Sequence, residues 1–254
     1  MLTNSKQKLI QSLQMKKFRN EHNLFVVEGL KIVSELILNS NFITEVLIGE
    51  KVILDSSVIE IAKSKNIEII ACDDKVLQKI SSHTTPQNCI ALAKIIKQEI
   101  DFGYIKNQKV IALDNIQDPG NLGTIFRSAD WFGIKNIVCS TYTVDCYNPK
   151  VVQASMGSLC NVNIFYVDLN IFLKQAHDLK MNIYGTLLNG ISIENISLSA
   201  AGVLLLGNEA NGISEKNLPF ITQAITIDKS ETTFAESLNV AIATAICCSK
   251  WNTI

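Results

Sequence analysis

No stretch of this chain approaches the ~20 consecutive apolar residues that a membrane span needs. The seven cysteines (Cys72, Cys89, Cys139, Cys146, Cys160, Cys247, Cys248) never form a CxxC pair, and no histidine lies at ligand spacing from any of them. That pattern argues against zinc-ribbon and thioredoxin-like redox chemistry; the cysteines read as buried thiols, with no metal expected. GxG is absent, so the dinucleotide-binding fingerprint fails. With only 4 Pro and 12 Gly the chain is neither collagen-like nor a low-complexity tract. The N-terminus, Met1-Leu2-Thr3-Asn4-Ser5-Lys6, lacks the apolar core of a signal peptide, so a cytoplasmic location is expected. A net charge of -1 excludes a uniformly basic nucleic-acid coat.

What is present is a globular composition, 47% hydrophobic and 19% charged over 254 residues. At ~150 residues per domain this length allows one or two domains, each with a real core. Charge is uneven: the first 31 residues hold Lys6, Lys8, Lys16, Lys17, Arg19 and Lys31 against Glu21 and Glu28. Such a cluster can meet phosphates, or it can be an ordinary solvated helix face.

Hydrophobic periodicity predicts a helix over Ser5–Arg19, a strand at Asn23–Glu28 and a helix through Leu30, Val33, Leu36 and Ile37. Strands at Glu45–Ile48, Ile67–Ala71 and Cys89–Lys94 alternate with helices at Ser56–Lys65 and Asp74–Ile80, which makes residues 1–93 a small α/β domain. Residues 94–108 turn polar and read as a linker. From Lys109 buried strands alternate with helices: strands at Val110–Leu113, Ile134–Cys139, Val162–Val167, Ile183–Leu187, Gly202–Leu206 and Ala224–Ile227, and helices including Asn121–Phe132, Pro149–Leu159, Ile171–Lys180 and Ala235–Trp251. Residues 109–254 are therefore expected to form a mostly parallel sheet covered on both faces.

Ligands of open α/β sheets sit beyond the carboxyl ends of the strands, and three strand-to-helix turns there are unusual. In Asn115-Ile116-Gln117-Asp118-Pro119-Gly120-Asn121 a tight turn precedes a helix that Asn121 can cap. At about 100° per residue Arg127 lies about 140° from Leu122, off the buried stripe of Leu122, Ile125, Phe126 and Ala129. The second turn, Gly207-Asn208-Glu209-Ala210-Asn211-Gly212, has the glycine spacing of a phosphate loop, but Ile213 stands where that loop needs lysine. Glu209 directly follows an apolar strand, where it either serves a ligand or caps the next helix. The third is Glu236-Ser237-Leu238-Asn239, at the entrance of a helix rich in small residues, where Ser237 is either a polar contact or a cap. Each motif alone is compatible with plain structure.

Taken in this order, the motifs resemble those of the SpoU/TrmH-type RNA ribose methyltransferases of the SPOUT superfamily: NxxDPGNLGxxxR at Asn115–Arg127, GNExxG at Gly207–Gly212 and ESLNVAIATAI at Glu236–Ile246. Lys16-Lys17-Phe18-Arg19 and Phe25-Val26-Val27-Glu28-Gly29 also resemble that family's ribosomal-protein-like N-terminal substrate-binding domain. The resemblance implies a C-terminal α/β domain with a trefoil knot, an exception to unthreaded chains, behind a smaller α/β RNA-binding domain. It implies S-adenosylmethionine as methyl donor, held by Thr186, Gly207, Ile227, Leu238 and Asn239. Asn121, Arg127, Glu209, Ser237 and Asn239 would form the catalytic set, and Lys16, Lys17, Arg19 and Arg127 would contact RNA. It further implies a homodimer through the C-terminal domain, with Arg127 reaching the donor bound by the other chain.

One departure stands out: the family has Pro after the isoleucine equivalent to Ile227, whereas Asp228 follows here, and the segment to Ser237 is about two residues longer. A guanidinium keeps its proton below pH ~12, so Arg127 is expected to clamp a phosphate and stabilise the developing 2′-oxyanion, with phosphate or water taking the proton. The expected substrate is large-subunit rRNA. The alternatives are tRNA as substrate, a catalytically silent RNA-binding homologue, and an unrelated small-molecule α/β enzyme.

Overall fold

A computed structural model of the protein describes residues 2–83 and 85–252; Met1, at the head of the polar N-terminus, lies outside them. The chain divides into two compact units, one running to Lys97 and including Asp145–Cys160, the other comprising Gln98–Val144 and the chain from Asn161 onward.

The first unit opens with α1 (Asn4–Ser12), capped by Thr3, and α2 (Lys16–His22). A single helix was expected here, but the helical run breaks after Leu13, and left-handed Asn23 closes α2. Then follow β1 (Leu24–Glu28), α3 (Leu30–Asn39), β2 (Ile43–Gly49), α4 (Ser56–Ser64), β3 (Glu68–Cys72), α5 (Asp74–Ile80) and β4 (Cys89–Lys94). The sheet order is β1-β4-β2-β3, with β4 antiparallel to both its neighbours and β2 parallel to β3. Ile10 and Leu13 of the N-terminal segment join Leu77 and Ile80 of α5 against Leu47, Ile90 and Leu92 of the inner strands. α3 and α4 pack together, with α3 against β1, β2 and β4 and α4 against β3. The helix Pro149–Ser155 returns from far along the chain to pack on β1, where the Phe25 and Tyr147 rings stand 4.7 Å apart.

Arg19, expected to contact RNA, is 3% exposed. Its guanidinium pairs with Asp145 and donates to the carbonyls of Leu13 at 2.9 Å and Gln14 at 2.8 Å. The position is corrected accordingly: Arg19 ties the break between α1 and α2 to the returning segment, and offers no charge to a phosphate. Lys16 and Lys17 are exposed.

In the second unit α6 (Phe102–Ile105) lies inside the expected linker and buries Ile105 in the core. There follow β5 (Lys109–Leu113), α7 (Pro119–Trp131) and β6 (Asn136–Ser140); then, with Pro149–Ser155 as α8, β7 (Asn163–Val167), α9 (Leu169–Asp178), β8 (Ile183–Ser192), β9 (Gly202–Leu206), β10 (Gln223–Thr226) and α10 (Val240–Asn252). All neighbouring strands are parallel in the order β10-β8-β9-β5-β6-β7, so every strand points its carboxyl end to the same edge. β8 enters on the far side of β5 and leaves a gap that β9 then fills. Along β5, Val110 and Ala112 pack with Phe172, Leu173 and Ala176 of α9. α7 and α10 pack against each other. α10 begins at Val240, not Ala235 as expected, because Asn239 caps it through its side-chain oxygen to the Ala241 amide at 2.9 Å. Its far end is pinned by buried Trp251, whose indole donates to the Ser199 carbonyl at 2.7 Å and whose own carbonyl accepts from the Lys109 ammonium at 2.6 Å.

Removing one partner of a buried ion pair costs about 3–5 kcal/mol. Arg19→Ala is expected to lower stability in urea unfolding by that order, while Lys16→Ala and Lys17→Ala stay within about 0.5 kcal/mol of wild type. An Arg19→Ala protein of unchanged stability would restore a surface role for this residue.

Candidate functional site

The carboxyl edge of the parallel sheet is where the unusual turns lie. After β5 the chain enters a loop whose Asp114 is buried, its carboxylate accepting from the Ser214 amide at 2.8 Å and the Asn217 side chain at 2.9 Å. This ties the loop beyond β5 to the segment beyond β9. Asp118 caps α7, accepting from the Asn121 amide at 2.7 Å, with Pro119 in the first turn. Asn121 was expected to be the cap; because Asp118 performs that task, the Asn121 side chain is left for another.

It bridges the other two motifs. Its Nδ2 donates to Glu209 Oε1 at 2.8 Å, and its Oδ1 accepts from Asn239 Nδ2 at 2.8 Å. Residues 88 and 118 positions away thus meet on one amide. Since Asn239 Oδ1 caps α10, both side-chain amides of the pair can point one way only. Glu209 is therefore not a helix cap. The turn that carries it is organised by Asn208, whose Oδ1 accepts from the Ala210 and Asn211 amides while its Nδ2 donates to the Asn115 carbonyl at 2.7 Å. Asn208 and Gly212 close the turn by exchanging backbone bonds of 2.9 Å, and Gly212 has φ +66°. At Gly207 a Cβ would stand 2.1 Å from the Gly212 carbonyl carbon and 2.2 Å from the Ile213 nitrogen, so only glycine lets the returning strand of the turn come this close.

Beneath this bridge opens a cavity of about 760 Å³ at the ends of β8, β9 and β10. Thr186, Gly207, Glu209, Ile227, Ser237 and Leu238 all line it, together with Asp228 and Lys229. Aliphatic wall comes from Leu187, Leu206, Ile225 and Val240. Asn121 and Asn239 are not in the wall; they hold it. Cys247 also reaches the cavity, but burial pushes its thiol up to about 12, so it is no nucleophile near neutral pH. Asp228 accepts from the Ser192 hydroxyl at 2.6 Å, anchoring the cavity loop to the end of β8. Arg127 is exposed on α7, outside the cavity wall and without a partner among the described residues. No group of three or more His, Cys, Asp or Glu among the described residues is placed to hold a metal. No helix among them is long and apolar enough to cross a membrane.

Two contributors escaped the sequence reading. Asn208 carried a legible signal, an asparagine between a strand end and a glycine-closed turn. Asp114 carried none, because its partners lie a hundred positions downstream.

The model of the SpoU rRNA Methylase family matches residues 108–249, which contain the bridge and the whole cavity wall. The chain belongs to this SpoU family. Residues 4–91 match a second model, the MRM3-like substrate binding domain. Among relatives, the 23S rRNA (guanosine(2553)-2′-O)-methyltransferase RlmP of Bacillus subtilis is 28% identical over 251 residues, covering 96% of this chain and 94% of that protein. A TrmH-family protein from Porphyromonas gingivalis superposes with a TM-score of 0.85 at 33% identity, over 99% of this chain and 98% of its own. An rRNA methyltransferase from Sinorhizobium meliloti, solved with AdoMet bound, gives 0.84 at 27% identity, over 100% and 96%.

Placing a methyl at Gly207 forces the turn open, and overpacking of this kind costs about 1–3 kcal/mol. Gly207→Ala in this SpoU chain is expected to show that loss in chemical unfolding; a variant as stable as wild type would mean the close approach is dispensable.

Proposed function

We propose that this SpoU protein transfers the methyl group of S-adenosylmethionine to a ribose 2′-hydroxyl of large-subunit rRNA. The observation that carries this reading is the Asn121 bridge, which joins Glu209 to Asn239 above a cavity at the strand ends. Its volume of about 760 Å³ suits a cofactor-sized ligand, within the ~300–1,000 Å³ usual for such sites. The residues present suit this donor: aliphatic wall for its adenosine, and the carboxylates of Glu209, Asp228 and Glu236 for its cationic groups. Thr186, Gly207, Ile227 and Leu238 would hold it, with Asn239 supporting that wall through Asn121.

Bound donor supplies an electrophilic methyl on a sulfonium centre. The protein's work is to align the ribose oxygen in line with that methyl and to manage the hydroxyl proton. The planar guanidinium fork of Arg127 binds the phosphate next to the target ribose and stabilises the charge growing on the 2′-oxygen. Transfer would break the methyl's bond to sulfur as the O–C bond forms, releasing S-adenosylhomocysteine, with the hydroxyl proton passing to phosphate or water. Asn121, Glu209, Ser237 and Asn239 orient the ribose and the arginine.

Arg127 stands outside its own cavity wall, and a second subunit brings it to a donor site. The α7/α10 face supports that pairing: Trp131 is 84% exposed, Ile242 50% and Ile246 36%, an apolar surface on the two packed helices. The exposed Lys16 and Lys17 add phosphate contacts in the substrate-binding domain.

Comparing 2′-O-methyl maps of rRNA and tRNA from cells with and without the gene tests the function: one rRNA methyl is expected to vanish, and unchanged maps would contradict the reading. Arg127→Lys keeps charge but loses the planar fork, and turnover is expected to fall on the order of 10²-fold with donor affinity retained. Undiminished turnover would refute the clamp.

A further inference from the structure

Away from the cavity, the carboxyl edge carries an exposed aromatic side chain, Tyr142. Beyond β6 the chain makes a tight turn, closed by the Thr143 amide to the Ser140 carbonyl at 3.0 Å, with Thr141 and Tyr142 at its corner. Tyr142 is 76% exposed and has no partner among the described residues. Its turn is nevertheless fixed. Thr143 is buried, its hydroxyl 3.1 Å from that of Ser140, and the Ser140 hydroxyl accepts from the Asn115 amide at 2.8 Å. Just beyond, the Val144 amide donates to the Ile116 carbonyl at 2.9 Å. The Asn115 carbonyl in turn receives Asn208, the organiser of the Glu209 turn. A hydrogen-bonded path thus runs from the Tyr142 turn to the bridge.

Other exposed rings have different settings. Tyr104 precedes β5 and lies toward the amino edge; Trp131 belongs to the α7/α10 face; Phe234 sits in the loop beside the cavity. Among the exposed rings of the described residues, Tyr142 alone projects from a pinned turn at the strand ends. β6 is two strands from β9, so about 10 Å across the sheet at ~4.8 Å per strand. That distance is within reach of a nucleotide neighbouring the target. Unpaired RNA bases dock by stacking on aromatic rings, and a ring whose backbone is held in place binds with little ordering cost.

We propose that Tyr142 is a stacking platform for an unpaired base flanking the methylated nucleotide, which makes it a substrate-positioning residue. The inference rests on the RNA methyltransferase reading. The ring face does the work; the hydroxyl is dispensable.

Wild type, Tyr142→Ala and Tyr142→Phe are to be compared with rRNA purified from cells lacking this gene, reading RNA Kd by filter binding, KM and kcat by methyl incorporation, S-adenosylhomocysteine affinity by calorimetry, and assembly by sedimentation. Stacking is worth ~1–3 kcal/mol per base, so Tyr142→Ala is expected to raise Kd and KM for RNA about 5- to 150-fold. Tyr142→Phe is expected to match wild type, with donor-site affinity and sedimentation unchanged in both. An Ala variant that binds RNA as wild type does, a Phe variant as weak as Ala, or a loss that follows altered assembly would each overturn the proposal. A wild-type protein that binds rRNA without methylating it would refute the methyltransferase reading alone, leaving the Kd comparison to decide Tyr142. A wild type that binds no rRNA would overturn both.

Discussion

A single amide group holds the candidate site together. Asn121 can bridge Glu209 and Asn239 because three chain segments reach the same edge of the sheet and because neither of its side-chain polar atoms is needed at the start of its own helix. Asp118 caps α7, Asn239 caps α10 with its oxygen and leaves its nitrogen for Asn121, and Asn208 shapes the turn that presents Glu209. Each local task is carried by a different side chain. Every donor in this string faces an acceptor, which is the condition for a polar network to specify one arrangement.

The bridge in turn depends on the parallel sheet. With β10, β8, β9 and β5 aligned, the turns that follow them share one edge, and the β8 crossing leaves the gap into which β9 delivers Gly207. At that turn backbone meets backbone at distances that exclude any side chain. The cavity wall is then a consequence of strand order. Leu206, Ile225 and Val240 supply its apolar side because each is itself buried, near the end of β9, near the end of β10 and at the start of α10.

Much of this was legible in the sequence. Alternation of apolar runs with helical periods gave the parallel domain, since a strand buried on both faces must be apolar throughout, as Gly202–Leu206 is. Three motifs marked the turns, and Asn121, Glu209 and Asn239 from them meet, whereas Arg127 stands apart. Other features were hidden for physical reasons. Asn121 was expected to cap because it is a good acceptor near the helix start; Asp118, another such acceptor, takes that task, and distal partners occupy the Asn121 side chain. The start of α10 was placed too early because Ala235–Leu238 has helix-compatible residues, whereas the Asn239 cap fixes the boundary. Arg19 read as part of a basic patch, because burial of an arginine depends on an acceptor set that includes Asp145, 126 positions away.

The claim that the bridge, and not the cavity wall alone, builds the donor site is tested most directly by a double-mutant cycle on S-adenosylhomocysteine affinity, measured by calorimetry for Asn121→Ala, Glu209→Ala and the double variant. If one interaction links them, the double variant is expected to bind hardly worse than either single one, with a coupling of about 1 kcal/mol or more. Losses that add to within ~0.5 kcal/mol would show two independent residues and contradict the bridge.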